Sequence, residues 1–506
     1  MKAWNSLRCG VTGALVLAAP AAWADVTPEQ VWANWRAYLE GFGYEVSAEE
    51  RMAGDTLTVS DLRMTFDIPE EDGTLEMSMG DLMLEQKGDG TVAVSIPPKM
   101  PVTLDFVEPD GEAGTVVLDA TSKGFSMTVS GNPGAMTYNY SAAAMGLALA
   151  DIDAPDVPED FGTASMSIAN MTGTTEMQAG DPAVSSQTLN TGAVTYDLDL
   201  KDPESGDRMV MQGGFGALSV KGDGTLPKDV DTSNLARMID AGFAISFRYA
   251  YEAGHSKFNF KDGEDVVQGE TSSDEGALTV DMSADGISYG GSAQNYAMNA
   301  AVPDLPFPIE LGMEEMSFDM AMPVKKSEEL QDFGFALTLA GFEMSEMIWG
   351  MFDPAGQLPH EPATVAIDVD GKARLTADIV DPEQMAEIED SGTPPGELDS
   401  LNINAIEVDA VGARLTGEGA FTFDNSDLES FDGMPAPKGE ANLKLVGGNG
   451  LLDKLTEMGL LPEEQANGAR MMMGLFAVPG EGEDTLTSKI EVTEEGQVLA
   501  NGQRLK

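Results

Sequence analysis

Over much of its length the chain alternates apolar and polar residues with a period of two. Leu57 and Val59 begin the pattern, Leu62, Met64, Phe66 and Ile68 continue it, and Leu75, Met77, Met79, Leu82 and Leu84 carry it on towards Val220. That period puts every apolar side chain on one face of a strand, so the region reads as half-buried antiparallel sheet. Asp72-Gly73, Asp89-Gly90 and Asp110-Gly111 fall between the runs, and their glycines accept the positive φ of tight hairpin turns. In Val59-Ser60-Asp61-Leu62, Met79-Gly80-Asp81-Leu82 and Ile168-Ala169-Asn170-Met171, two apolar residues stand three apart, so the alternation slips by one. A slip turns later side chains to the wrong face unless a bulge or bend restores them, which predicts a strongly curved meander.

Helical spacing interrupts the strands in a few places. Thr27-Pro28-Glu29-Gln30 is a capping box with proline at the first helical position, and Val31, Trp35, Tyr38, Leu39 and Phe42 follow before Gly43. Trp32, Trp35, Tyr38 and Phe42 give this helix an aromatic face, which either packs on the first sheet or docks a partner. A second helix is expected over Asp231–Gly242, capped by Asp231 or Thr232, and a third over Glu343–Phe352. Leu451, Leu452, Leu455 and Met458, then Ala466, Ala469, Met472, Met473 and Phe476, predict a helical hairpin near the carboxyl end. Strand is expected between these helices and over Leu486–Leu505. The fold class is therefore α+β, predominantly β, with long curved antiparallel sheets, a few amphipathic helices on one face and a terminal αα-hairpin.

Composition shifts suggest boundaries. Residues 1–24 read as a leader, 25–230 as a helix plus meander, 231–395 as a middle β-rich module and 396–506 as the α+β module with the hairpin. Asp381–Ser400, acidic and containing Pro394-Pro395-Gly396, marks the last boundary. Lys87-Gly88-Asp89-Gly90-Thr91 returns as Lys221-Gly222-Asp223-Gly224-Thr225, a hint of a repeated sheet unit.

Lys2 and Arg8, the apolar run Val11–Ala19 and the small residues Ala22 and Ala24 before Asp25 form a cleavable secretory signal. Cleavage after Ala24 makes the expected location periplasmic and removes Cys9, the one cysteine; no other apolar run is long enough to span a bilayer. Lysine and arginine number 28 against 86 acids, a net charge of -58 that becomes -60 once Lys2 and Arg8 leave. Such a chain repels phosphate backbones and anionic surfaces, which argues against nucleic-acid binding.

Chemistry is sparse. Phe243, Ile245, Phe247, Tyr249 and Tyr251 alternate with small or polar residues and make the most apolar face in the chain, either ordinary core or the lining for an apolar ligand. Asp151, Asp153 and Asp156 lack the spacing of a calcium loop. His255 and His360 are the only histidines, too few and too far apart for an imidazole metal site. Gly286-Ile287-Ser288-Tyr289-Gly290 matches a nucleophile-elbow pattern without the strand and helix that such an elbow needs, and His360 is the histidine left to complete a triad. The 31 methionines suit an irregular core or an adaptable apolar surface. No cofactor is expected, and no enzyme.

Leu415-Thr416-Gly417-Glu418-Gly419, Lys438–Leu443, Leu451–Leu455, Gly459-Leu460-Leu461 and Gly496–Gly502 resemble the domain of unknown function numbered 2125, found in exported proteins of alphaproteobacteria. The resemblance covers roughly the last 110 residues, and it implies an envelope location but no catalytic residue. More distantly, the pattern is similar to periplasmic envelope-biogenesis proteins built from long curved sheets, some implicated in lipid handling. The expected function is a non-enzymatic periplasmic protein that binds or passes an apolar ligand such as lipid. The alternatives are an envelope scaffold that docks a protein partner and, third, a hydrolase of envelope polymers.

Overall fold

A computed structural model describes residues 25–68, 73–107, 113–154, 157, 161–202, 205–228, 230, 234–392 and 394–505. The leader with Lys2, Arg8, Cys9 and Ala24, the turn residues Asp72, Asp110 and Gly111, the acid-proline residues Pro155, Asp156 and Pro158, and the caps Asp231 and Thr232 lie outside the described residues.

Helix α1 (Pro28–Gly41) precedes β1 (Glu45–Ala53) and the longer β2 (Thr56–Ile68). Six short strands follow: β3 (Gly73–Met79), β4 (Leu82–Gln86), β5 (Val92–Ser95), β6 (Lys99–Val107), β7 (Ala113–Lys123) and β8 (Ser126–Asn132). β9 (Ala135–Asp153) and β10 (Gly162–Gln178) are long, and β11 (Ala183–Thr191), β12 (Val194–Lys201), β13 (Arg208–Phe215) and β14 (Ala217–Leu226) are short again. After α2 (Leu235–Asp240) come β15 (Ala244–Asp262), β16 (Asp265–Ser283), β17 (Gly286–Ala301), β18 (Ile309–Met322) and β19 (Gln331–Met344). Helix α3 (Glu346–Phe352), β20 (Ala363–Leu375), α4 (Pro382–Ser391), β21 (Gly396–Ala410), β22 (Ala413–Asp424) and β23 (Ala436–Val446) continue the chain. It ends with α5 (Gly448–Glu457), α6 (Glu463–Phe476), β24 (Val478–Pro479), β25 (Thr485–Val492), β26 (Val498–Ala500) and β27 (Gln503–Arg504).

All 27 strands among the described residues join one antiparallel sheet. The short strands stand end to end in pairs, two in place of one long strand. β3 and β4 both pair with β2, and β7 and β8 both pair with β9. Likewise β12 and β11 share β10, and β13 and β14 share β15. From β15 to β23 each strand pairs with the next in sequence. Counting an end-to-end pair as one row gives about twenty rows, a ribbon about 90 Å long at about 4.8 Å per row. Hydrogen bonds cross both module boundaries read from the sequence, between β14 and β15 and between β20 and β21.

One crease runs along this ribbon. Asp61, Asn170, Ala253, Asn295 and Gly341, in β2, β10, β15, β17 and β19, all have left-handed φ between 48° and 66° in mid-strand. Pairing skips each of them, with a register shift at β2 and the same register kept at the other four, and beyond the skip the set of residues that faces inward changes parity. The end-to-end pairs break on the same line, at Gly80-Asp81 between β3 and β4 and at Gly216 between β13 and β14. All three slips seen in the sequence fall on the crease, and they are the bends that keep one face apolar along both halves of each strand.

The apolar face is the inside of the fold. Helix α1 lies on it, and the cluster it buries takes Leu57, Val59 and Leu84 from one side of the crease and Leu62 and Met64 from the other. Thr27 caps this helix in the expected box, donating and accepting with Gln30. The fold is thus a β-rich α+β gutter.

Four local expectations differ from what is observed. Helix α2 is only six residues long and is capped by Asn234, whose side chain accepts from the Arg237 amide. Strand β19 persists to Met344, so α3 begins at Glu346 and not at Glu343. Asp381–Ser400 contains helix α4, with Asp381 accepting from the amides of Glu383 and Gln384 and Gly392 left-handed at its end. The pentapeptide Lys87–Thr91 is the turn between β4 and β5, whereas Lys221–Thr225 lies within β14, so the two copies are not a structural repeat.

Candidate apolar-ligand site

The register of the strands defines rows of residues across the inner face. Tyr249, Leu278, Gly291, Phe318, Leu337 and Ile367 stand side by side in successive strands from β15 to β20. Ile406, Gly417 and Leu443 continue that row through β21, β22 and β23. A second row runs through Phe247, Val280, Tyr289, Met320, Phe335 and Val369. Away from the crease and the strand ends, the inner face of β15 to β23 carries no charged residue among the described residues. The outer face of the same strands carries Glu270, Glu275, Asp281, Glu315, Asp319, Asp368 and Glu407.

Glycines and aromatic rings fit together along the rows. A Cβ on Gly276 would sit 2.5 Å from the Tyr251 ring, one on Gly291 2.4 Å from Phe318, and one on Gly371 2.6 Å from Phe333. Each ring thus lies flat over a neighbouring strand and smooths the face. Tyr251 also leans across the crease, its hydroxyl 3.0 Å from that of Ser273.

The amino-terminal end of this gutter is filled. Trp32 is 2% exposed, Trp35 stacks on Tyr138 at 5.9 Å, and the Tyr138 hydroxyl donates to Asn34 Oδ1 at 2.8 Å. Trp32 Nε1 donates to Glu50 Oε1 at 2.8 Å, and Arg36 pairs with the same carboxylate beneath its cation–π contact with Trp32. These side chains face the sheet, where Trp32 is buried and Trp35 partly buried. Tyr38 and Phe42 meet edge to face at the end of α1, where Phe42 stays exposed. Asp25, the expected first residue of the mature chain, lies beside the Gly90 turn, where the Val26 amide donates to the Gly90 carbonyl.

Beyond α1 the gutter is open. Phe247, Leu278, Phe318, Phe335 and Val408 are inner-face residues, yet each is 37–40% exposed. Of the residues picked out from the sequence, Ile245, Phe247, Tyr249 and Tyr251 share the inner face of β15, and Phe243 precedes the strand. Sequence reading expects strands after β15 but missed that the eight from β16 to β23 prolong this face, although their alternation carries the same signal. Ten rows from β15 to β25 make an open apolar trough about 45 Å long.

The remaining candidates are not brought together. Ser288 lies inside β17, within a few residues of one strand end, and donates to Asp281 Oδ2 across the β16–β17 pair at 3.3 Å. His360 lies by the opposite strand ends, between α3 and β20, so the two do not form a dyad. The His360 ring stacks on Trp349 with centroids 4.1 Å apart. Its Nδ1 is 3.1 Å from Glu346 Oε1 and its Nε2 3.5 Å from Asp353 Oδ2. Burial pushes the Asp353 carboxyl up, but the amides of Gln357 and Leu358 and then His360 outweigh it and hold it below the usual range. Among the described residues no group of three or more His, Cys, Asp or Glu is placed to hold a metal ion, and no helix is long and apolar enough to cross a membrane.

At the carboxyl end, Arg470 of α6 pairs with Asp453 of α5, and the Ser488 hydroxyl and Asn501 amide both donate to the Phe476 carbonyl. Helix α6 leaves Met471 73% and Met472 51% exposed. A search of curated proteins finds no match to the chain. The family model described as an uncharacterised protein conserved in bacteria, DUF2125, matches residues 250–505, reaching upstream of the terminal 110 residues to the middle of β15, and the chain belongs to that family.

Proposed function

We propose that this protein is exported to the periplasm, with its leader cleaved after Ala24, and there binds an apolar ligand such as lipid in the open part of its gutter. The observation that carries the reading is a sheet face about 45 Å long, uncharged and continuous, on which Phe247, Leu278, Phe318, Phe335 and Val408 remain more than a third exposed. That length is about three times the hydrocarbon depth of one leaflet, so a chain fits along the trough lengthwise. The hairpin of α5 and α6 acts as a lid over the far end, its methionines adapting to what lies beneath. The acidic outer face keeps so apolar a molecule soluble.

The test is to purify the exported protein mildly and extract it for mass spectrometry, with a photo-crosslinking residue in place of Phe318 or, as control, of Ser317 on the outer face. Lipid should co-purify and cross-link from position 318 alone. A protein free of lipid, or one labelled equally from both faces, overturns the reading.

One observation favours a second reading, an envelope scaffold. The exposed Met471, Met472 and Leu475 on α6 suit a protein partner as well as a ligand. Met471→Glu with Met472→Glu should then abolish capture of the partner while lipid still cross-links from position 318, far from the hairpin.

A further inference from the structure

One stretch of the inner face differs chemically from the rest. Five of the nine tyrosines, Tyr196, Tyr249, Tyr251, Tyr289 and Tyr296, stand on it within β12 to β17. Ser256, Thr271 and Ser273 share that face beside the crease. The Tyr251 and Ser273 hydroxyls are 3.0 Å apart, and the Tyr196 hydroxyl donates to Ser256 Oγ at 2.8 Å. Burial first, and the neighbouring Tyr251 second, push the Tyr249 and Tyr296 hydroxyls above the usual tyrosine range, so both stay protonated and neutral.

The inner face of β18 to β23 has no such groups. Its rows hold Met316, Phe318, Leu337, Ile367, Ile406 and Leu443, and among the described residues no serine, threonine or tyrosine stands with them. Six rows span about 24 Å. The gutter therefore has a hydroxyl band next to a hydrocarbon track, the division of an amphiphile into head and tail.

The head that suits the band is uncharged. A hydroxyl both donates and accepts, so it pairs with another hydroxyl, an ether or an ester without needing a counter-charge. A phosphate would meet no lysine or arginine on this face among the described residues and would enter a chain of net charge -58. A quaternary ammonium would find the acids on the outer face, on the other side of the sheet.

We propose that the hydroxyl band of β12 to β17 seats the uncharged, hydroxyl-bearing head group of an amphiphile whose hydrocarbon tail lies along β18 to β23. This rests on the apolar-ligand reading above and narrows it to one class of ligand.

The experiment compares three twelve-carbon amphiphiles that differ only in their heads, dodecyl maltoside, dodecyl phosphate and dodecyltrimethylammonium, each below its micelle concentration. Binding to the full mature chain is followed by native mass spectrometry and calorimetry. The maltoside should bind about tenfold more tightly than either charged compound, the effect of one or two hydrogen bonds. Tyr251→Phe with Ser273→Ala should remove that preference while leaving the binding of the charged compounds unchanged. Equal binding of all three by the unaltered protein overturns the head-group assignment and leaves the trough standing. Failure of all three to bind overturns both. Tighter binding of the phosphate contradicts the uncharged-head argument directly, whether or not the double variant folds.

Discussion

The two ends of the ribbon share their strand geometry and their apolar inner face, and differ in what covers it. Over β2 to β9 the face is closed by α1, and Leu84, Val92 and Val129 are fully buried there. Over β15 to β25 the face is left open except at the far end, where α5 meets β22, and inner-face residues of the same kinds stay 37–40% exposed. Alternation in a sequence thus specifies a face and says nothing of its cover. An aromatic helix laid on the sheet converts a trough into a core, and where no such helix covers the face the trough stays open.

The largest effect that tests this contrast is truncation of a leucine at each end. Leu84→Ala should cost about 3 kcal/mol, since it leaves a cavity under α1 that its neighbours cannot fill. Leu278→Ala should cost less than about 1 kcal/mol, because a residue 40% exposed in an open trough leaves no cavity. Urea denaturation of the two variants decides it. Equal losses would mean that the trough is filled in solution, and lipid extraction before unfolding should then restore the difference.

Glycines under rings give a smaller, sharper version of the same comparison. Alanine at Gly173 would put its Cβ 2.3 Å from the Tyr140 ring, which is tethered by a 3.2 Å hydrogen bond from Gln187 Nε2 to its hydroxyl. The ring has to break that bond or shift the strand, so Gly173→Ala should cost about 1–3 kcal/mol. Alanine at Gly291 meets Phe318 at 2.4 Å, but that ring is 40% exposed and swings into the open trough. Its cost should fall below about 1 kcal/mol in the same denaturation experiment. A Gly291→Ala variant as damaged as Gly173→Ala would show that something in the trough holds Phe318 in place.

Much of this architecture is legible in the residues. The slips at Asp61, Gly80-Asp81 and Asn170 mark the crease, and the same spacing of three recurs at Ala293 and Tyr296, Met313 and Met316, Leu339 and Phe342, and Ile403 and Ile406. Read together, those pairs trace the fold line across the whole chain. The crease at Ala253 is hidden because Gly254 beyond it has no side chain to show the alternation. Helix α4 is announced by Asp381-Pro382-Glu383-Gln384, the capping pattern of Thr27-Pro28-Glu29-Gln30, but its acids and the following prolines read as a linker. The end-to-end pairing of β3 with β4 and of β13 with β14 has no local signature, because it is decided by which long strand each half joins. The hydroxyl band was also out of reach, since register alone places Tyr196 beside Ser256 and Tyr251 beside Ser273.

The smallest effect concerns α3, at the border of the open trough. The Glu346 carboxylate first, and Asp353 after it, hold the His360 pKa above its usual value against the opposing effect of burial. A group whose pKa is raised by folding stabilises the folded form fully below its unfolded value, about 6.5, and loses that contribution as pH rises through the folded value. Asp353, held low, is ionised throughout such a range and adds no slope of its own. The packing of Trp349 should therefore be firmer at pH 5.5 than at pH 8.5, by a modest amount because Glu346 is mostly exposed and screened. Thermal unfolding followed by tryptophan fluorescence at the two pH values reads this, with His360→Gln as reference so that the contributions of Trp32, Trp35 and His255 cancel. A wild-type minus variant difference that is flat, or larger at pH 8.5, would mean that the ring stacks on Trp349 as a neutral aromatic and that α3 is held by apolar contact alone, as the filled end of the gutter is.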